Sequence, residues 1–315
     1  MSIEIEKLLK GDRRTLAKAI TLIESKTKSH REEASKLLSS ILGHTGNSFR
    51  IGISGPPGAG KSTFIETLGL ILTSQNKKVA VLAVDPTSPI SGGSILGDKT
   101  RMEELSKLDS AFIRPSPTSG ELGGIAKKTR ESLLMCEAAG FEIIIIETVG
   151  VGQSEYEVRD IADVFISLSL PNSGDELQGI KKGILEISNF VFVNKMDISP
   201  DRAELKLNQL ISAFNLLGKD SKNQLMKISA QDKTSVKSSW ALIEKYFLDN
   251  KVKIQEERKF KNIKWSKKLL KELIENDLEA LFKEKEASEI FNELKNNQIL
   301  PIEASTKLYK IFKKN

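Results

Sequence analysis

The spacing of hydrophobic positions changes twice along this chain, and the changes divide it into three parts. Over residues 1–46 apolar side chains recur at helical intervals: Ile3, Ile5, Leu8 and Leu9, then Leu16, Ala19, Ile20 and Ile23, then Ala34, Leu37, Leu38 and Ile41. Recurrence every three to four residues gives each helix one buried stripe, and Asp12 stands where it can cap the second helix. From Phe49 the pattern becomes short continuous apolar runs, at 49–54, 79–84, 143–147, 164–170, 190–194 and 225–229, with helical segments between them. Such runs predict an α/β fold, a mostly parallel sheet with helices on both faces. Beyond residue 249 the strands stop. Trp265, Leu269, Leu270, Leu273, Ile274, Leu278, Leu281 and Phe282 form a stripe on one long helix. A second helix carries Ile290, Phe291 and Leu294, and Pro301 sets it apart from a last one near Glu303–Phe312. The expected organisation is an N-terminal helical extension (1–46), an α/β domain (47–249) and a C-terminal helical segment (250–315). That last segment must bury its stripe on the α/β domain or on a second subunit.

Glycine follows the same division, with 19 of the 21 glycines between Gly43 and Gly183. The densest motif there is Gly55-Pro56-Pro57-Gly58-Ala59-Gly60-Lys61-Ser62, a complete G-x-x-x-x-G-K-[ST] loop between the run 49–54 and a helical segment starting at Thr63. Strand, loop and helix in that order define a phosphate-binding loop, so the fold class sharpens to a P-loop nucleotide triphosphatase. Backbone N–H groups of the loop cradle phosphates, and Gly58 and Gly60 allow close approach. Lys61 neutralises phosphate charge, the Ser62 hydroxyl is a Mg²⁺ ligand candidate, and the helix N-terminus adds a favourable dipole.

The base is read elsewhere. Asn194-Lys195-Met196-Asp197 follows the run 190–193 as an N-K-x-D element, and Asp197 can accept a bidentate pair of hydrogen bonds from guanine N1 and N2. Adenine lacks that pair, and an unsatisfied buried carboxylate makes the discrimination steep. Ser229-Ala230 ends the next run and reads as the element whose backbone meets the guanine oxygen. Between the phosphate and base elements lies Ile143–Ile146 followed by Glu147-Thr148-Val149-Gly150. An apolar strand ending in an acid is the Walker B pattern, and Gly150 stands where an N–H can meet the γ-phosphate. The acid at this strand end is Glu147 where most GTPases have Asp, so outer-sphere metal contact and orientation of the attacking water both remain open for it. Asp85 ends the second run and can approach the metal shell. Asp98, in a Ser/Gly-rich stretch, reads either as a metal or water contact or as the N-cap of a helix from Arg101. Residues 174–183, polar and bounded by glycines, read as a switch loop facing a partner, against a plain surface connection. Lys61, Asp98 and Glu147 are the catalytic candidates; Ser62, Asp85, Asp98 and Glu147 are the metal candidates; and residues 55–63, Gly150, Asn194, Lys195, Asp197, Ser229 and Ala230 are the nucleotide contacts.

Composition removes some classes. Cys136 is the single cysteine, and His30 and His44 lie outside every motif, so no Zn or Ni ligand cluster can be assembled. Cys136 sits in an apolar helical segment and reads as packing. The N-terminus lacks the basic start and apolar core of a signal peptide, and no run reaches the ~20 apolar residues of a membrane span. A cytoplasmic location is the expectation. The net charge of +6 comes almost wholly from residues 251–315, where 15 Lys and one Arg face 11 acids. Lys and Glu alternate there along helical segments, a solvated face rather than a nucleic-acid or membrane surface.

Together the P-loop at 55–62, Val84–Pro89, Gly92–Met102, Glu147–Ser154, Gly174–Gly183 and Asn194–Asp197 resemble the methylmalonyl-CoA mutase-associated GTPases of the MeaB/ArgK type. The resemblance runs from about residue 5 to 310. It implies a Mg²⁺-dependent GTPase that acts as a chaperone of an adenosylcobalamin-dependent acyl-CoA mutase, gating cofactor loading and protecting that enzyme, with no cobalamin bound by the chain itself. It further implies a homodimer formed through C-terminal helices, metal-shell and catalytic roles for Asp85, Asp98 and Glu147, and a place in a signalling loop for Lys181 or Lys182. The alternative is a kinase or ATPase regulating a lysine/arginine/ornithine transport system.

Overall fold

The computed structural model of the chain describes residues 3–25, 27–85, 102–117, 122–148, 153–171, 182–219 and 221–313. Asp98, Gly150 and Lys181 therefore lie outside the described residues, as do most of the loop 174–183 and the side chain of Asp85. The chain falls into two compact units, 1–254 and 255–315.

The first unit is built on seven parallel strands: β1 (Phe49–Ser54), β2 (Val79–Asp85), β3 (Ala111–Pro117), β4 (Ile143–Thr148), β5 (Val164–Ser169), β6 (Phe190–Val193) and β7 (Leu225–Lys227). Their order across the sheet is β3-β2-β4-β1-β5-β6-β7, which puts the P-loop strand at the centre. Every residue of β1, β4, β5 and β6 is buried. That is why these strands read as unbroken apolar runs rather than alternating ones. One strand escaped the apolar pattern. Ala111–Pro117 carries Pro115 and Pro117, which argue against a strand in sequence, but β3 pairs only with β2 at the sheet edge. Proline's missing donor is accommodated where one side of the backbone makes no ladder bonds.

Helices cover both faces. On one face α4 (Lys61–Ser74), the short α5 (Glu103–Ser106) and α11 (Lys233–Asp249) enclose Ile51, Ile53, Val81, Ile145, Ile166 and Phe192 with Phe64, Leu68, Leu105 and Trp240. On the other, α6 (Leu122–Ala138) and α7 (Gln153–Ile161) join the N-terminal helices α1 (Ile5–Leu9), α2 (Arg13–Glu24) and α3 (Lys28–Ser40) over Leu82, Ile144, Ile146 and Phe165. The N-terminal helices thus share a core with the sheet. Asp12 caps α2, its Oδ1 accepting from Thr15 N at 2.7 Å. Glu24 at the end of α2 pairs with Arg114 of β3, which fastens α2 to the edge strand. Beyond α8 (Lys182–Ile187), α9 (Pro200–Leu216) completes a third cluster around Val191, Val193, Leu210 and Phe214, and a single turn, α10 (Ser221–Gln224), leads into β7.

At the N-terminal edge of the sheet one ion pair is buried. Arg50 donates through Nε to Glu137 Oε1 at 2.9 Å and through Nη2 to Oε2 at 3.0 Å. The carboxylate also accepts from Ser48 Oγ and from Gly46 N, so the linker from the N-terminal helices is held by the same group.

The second unit contains most of α12 (Lys251–Leu281), with α13 (Lys285–Lys295) and α14 (Pro301–Phe312). Leu281, Ala287, Ile290 and Ala304 are its buried apolar side chains. Phe282 and Phe291 meet edge to face with centroids 5.8 Å apart, and Lys307 pairs with Glu293 at 2.9 Å.

Candidate nucleotide site

Strand register assembles the site. Ile53 of β1 lies opposite Glu147 of β4, and Ala83 of β2 lies opposite the same residue on the other side. The acid therefore emerges beside the loop that leaves β1 at Ser54. Pro57, Gly58, Gly60, Lys61, Ser62 and Thr63 then line a cleft of about 690 Å³ together with Ala83, Val84, Glu147, Thr148, Lys195, Ile198 and Gln231. This is the C-terminal edge of the parallel strands, where open α/β sheets bind ligands.

The loop is held by its own backbone and by one distant side chain. Lys61 Nζ donates to the carbonyls of Gly55 (2.8 Å) and Pro56 (3.3 Å), and Ala59 N closes the turn onto Pro56 O at 3.1 Å. Asn194 Nδ2 donates to Ala59 O at 2.7 Å, while its Oδ1 accepts from Ala230 N at 2.8 Å. One buried amide thus ties the P-loop, the end of β6 and the Ser229-Ala230 turn together. Gly60 is what lets it in: its φ is +85°, and a Cβ there would sit 2.3 Å from Asn194 Nδ2. Thr67 Oγ1 adds a second tie, to Ala230 O at 2.7 Å.

At the phosphate end Ser62 Oγ donates to Glu147 Oε1 at 3.2 Å, and the Glu147 carboxyl is buried. A hydroxyl and a carboxylate side by side are hard oxygen donors. They suit Mg²⁺, which binds through one or two protein oxygens plus substrate phosphates and waters. The absence of a His/Cys/Asp/Glu cluster among the described residues is no obstacle to that arrangement. At the base end Lys195 takes a positive φ of 63°, which turns the chain sharply after β6. Ile198, 70% exposed, presents an apolar face to the cleft.

The structure brings Lys61, Ser62, Glu147 and Lys195 to one cleft, as the sequence motifs require. The N–H of Ala230 is engaged by Asn194, so that pair positions the turn. Asp197 is exposed on the Lys195–Ile198 turn, without lining the cleft itself. Sequence reasoning did not assign Ala83, Val84, Thr148, Ile198 or Gln231 to the site. Their only signal was adjacency: Ala83 and Val84 precede Asp85, and the other three directly follow Glu147, Asp197 and Ala230.

A parallel sheet with its P-loop strand in the centre, a Walker B acid against the P-loop serine and an N-K-x-D turn fastened to that loop define a P-loop GTPase. A profile of the family described as methylmalonyl Co-A mutase-associated GTPase MeaB matches residues 16–287, and the chain belongs to that family. It is 43% identical over 282 residues to the GTPase ArgK of Escherichia coli, a match covering 88% of this chain and 85% of that protein. It is 56% identical over 211 residues to a putative GTPase of Caulobacter vibrioides, covering 67% and 65% of the two chains. The methylmalonic aciduria type A homolog, mitochondrial, of Mus musculus is 49% identical over 249 residues, 74% of this chain and 60% of that one. A solved structure described as an LAO/AO transport system kinase superposes with a TM-score of 0.74 at 32% identity, over 98% of this chain and 96% of that one. No helix among the described residues is long and apolar enough to cross a membrane.

Proposed function

We propose that this protein binds GTP with Mg²⁺ in the cleft, hydrolyses it to GDP and phosphate, and uses the difference between the two states to chaperone an adenosylcobalamin-dependent acyl-CoA mutase such as methylmalonyl-CoA mutase. The observation that supports the reading best is the convergence of Lys61, Ser62 and Glu147 on a cleft that Lys195 and Ile198, from the turn carrying Asp197, also line. Lys61 moves from its loop carbonyls to the β- and γ-phosphate oxygens. Backbone N–H groups of Gly58–Ser62 hold the phosphate chain in line, and Glu147, beside Ser62, orients water or the metal's hydration shell. Mg²⁺ bound at Ser62 supplies charge neutralisation on the phosphates. Ile198 and the stem of Lys195 give the base an apolar slot, and Asp197 selects guanine on that turn.

Family membership supports the client relationship, and the resemblance of the motifs supports gating of cofactor loading and protection of the mutase. The chain holds no cobalamin in this reading. A second copy pairs through α12: residues 258–271 carry seven cations and no acid, and residues 272–282 carry four acids and no cation. Antiparallel pairing sets each basic half against an acidic one, around exposed Phe260, Ile263, Leu270 and Ile274. A cytoplasmic location accords with the single buried thiol.

The test is phosphate release from GTP and from ATP by wild type and Lys61→Ala. GTP-selective release, reduced at least about 10²-fold in the variant with an unchanged melting curve, is expected. Equal rates with ATP, or unchanged turnover in Lys61→Ala, overturn the reading. Transfer of phosphate to a protein acceptor in place of release to water would favour the transport-kinase reading suggested by the LAO/AO relative.

A further inference from the structure

Two helices outside the cleft are gripped together at both ends. Tyr156 and Arg159 stand three residues apart on α7 and so share one side of it. Tyr156 Oη fills the space beside Gly183, the second residue of α8. A Cβ built on Gly183 would lie 1.9 Å from Oη and 3.2 Å from Cζ, and Tyr156 is its sole neighbour within 4 Å among the described residues. Arg159 Nε donates to Ile187 O, at the last residue of α8, at 3.1 Å. From another direction Lys219 Nζ donates to the carbonyls of Leu185 (2.7 Å), Glu186 (2.6 Å) and Ser188 (2.8 Å). Two cations therefore satisfy the C-terminal carbonyls of a six-residue helix and complement its dipole. Burial, with the charge of Arg159 nearby, holds the Lys219 ammonium below its ordinary range.

The buried residues of α7 reach the strand that carries the P-loop. The helix begins five residues after Thr148, a lining residue. Glu155 is fully buried with Oε1 3.5 Å from the hydroxyl of Ser54, the residue before the P-loop. At Gly52 a Cβ would come within 2.8 Å of Val158 Cγ1, so α7 lies directly on β1. Gly183 itself is not among the glycines with positive φ, and a helical glycine costs up to about 1 kcal/mol against alanine. Room for Tyr156 is the physical reason for glycine there.

We propose that α7 and α8 act as one mechanical unit that carries the state of the cleft to the chain entering α8 at Lys182, with the Tyr156–Gly183 contact as its link. Tyr156 and Gly183 are positioning residues in this scheme and touch no substrate. The inference rests on the nucleotide reading of the cleft. It adds a route by which nucleotide state leaves the site: β1 and β4 set α7, and α7 sets both ends of α8.

Amide hydrogen exchange over residues 184–188, compared between the GDP form and a form with a non-hydrolysable GTP analogue, tests it in the full-length protein. Wild type is expected to show a difference between the two forms of roughly fivefold or more, the lower end of ordinary coupling energies. Tyr156→Ala, which removes the wedge, and Gly183→Ala, which fills its seat, should each abolish that difference and leave basal GTP turnover near wild type. Alanine strengthens helix propensity at 183, so loss of the difference in that variant cannot be assigned to melting of α8. The double variant should be no worse than either single one, because both remove the same contact. A difference that survives in both single variants overturns the proposal. So does its absence in wild type that binds both nucleotides. Failure to bind either nucleotide would instead remove the reading of the cleft, and the link with it.

Discussion

Residues 1–254 and 255–315 draw on the same apolar residue types and use them in opposite ways. The first unit encloses its Ile, Leu and Phe side chains in three clusters against a seven-stranded sheet. The second buries four apolar side chains and leaves nine large ones exposed among the described residues, Phe260, Ile263, Leu270 and Ile302 included. A sheet clad on both faces supplies its own interior, whereas three helices with no sheet beneath them leave much of their apolar surface uncovered. The first unit thus carries its own interior and the described lining of the cleft. The second carries apolar surface of the kind that monomers rarely leave in water, and that surface is where a second copy pairs in the function proposed above.

The largest effect should come from breaking the first unit's buried ion pair. Glu137→Ala leaves the Arg50 guanidinium, only 11% exposed, without its carboxylate. It also strips partners from Ser48 and Gly46. Removing one partner of a buried pair costs about 3–5 kcal/mol, to be read as a fall in the urea midpoint of unfolding. The matching change in the second unit, Lys307→Ala, breaks a pair to Glu293 that is about 40% exposed on both sides, where solvent screens the attraction, and should move that midpoint far less. Equal losses would erase the distinction between the two units.

Next in size is the apolar seam itself. Leu270 is 57% exposed on α12, at the end of its basic half, next to the junction with the acidic one. Leu270→Glu removes an anchor worth about 1.5–3 kcal/mol when buried, once from each of the two chains, so the dimer dissociation constant should rise roughly a hundredfold to ten-thousandfold, measured by sedimentation equilibrium. GTP turnover per chain should hold steady, since every described residue lining the cleft belongs to the first unit. A protein that sediments as a monomer in wild type would overturn the pairing.

These contrasts were unevenly legible in the sequence. Strands buried on both faces, such as Ile143–Ile146, betray themselves as unbroken apolar runs, so six strands and the helices between them could be read directly. β3 could not, because Pro115 and Pro117 mark an edge position that only the assembled sheet defines. The P-loop, Glu147 and Asn194–Asp197 were visible as motifs, since phosphate and guanine impose residue types at fixed spacing. The tie that Asn194 makes, 135 residues back to Ala59 and 36 forward to Ala230, exists only in three dimensions. So does the packing of Tyr156 on Gly183. The exposed stripe of α12 was legible as hydrophobic spacing, yet spacing alone does not say which surface covers it.

The smallest expected effect is also the cleanest separator of the two units. Cys136 is the single thiol of the chain, lies fully buried on α6 beside Glu137, and packs in the core shared by the sheet and the N-terminal helices. Burial, reinforced by the neighbouring Glu137 carboxylate, pushes its thiol well above the ordinary range, and the thiolate is the reactive form. Iodoacetamide should therefore label the folded protein only through opening of the first unit, at a rate that reports that unit's stability. Leu270→Glu should change the free energy read this way by no more than about 0.5 kcal/mol, the usual range for surface substitutions, even while it splits the dimer. Glu137→Ala should accelerate labelling in proportion to its loss of stability. If Leu270→Glu accelerates labelling as strongly, the first unit depends on the second for its stability and is not self-sufficient. If Cys136 labels quickly in wild type, the core shared with the N-terminal helices opens locally, without unfolding of the sheet.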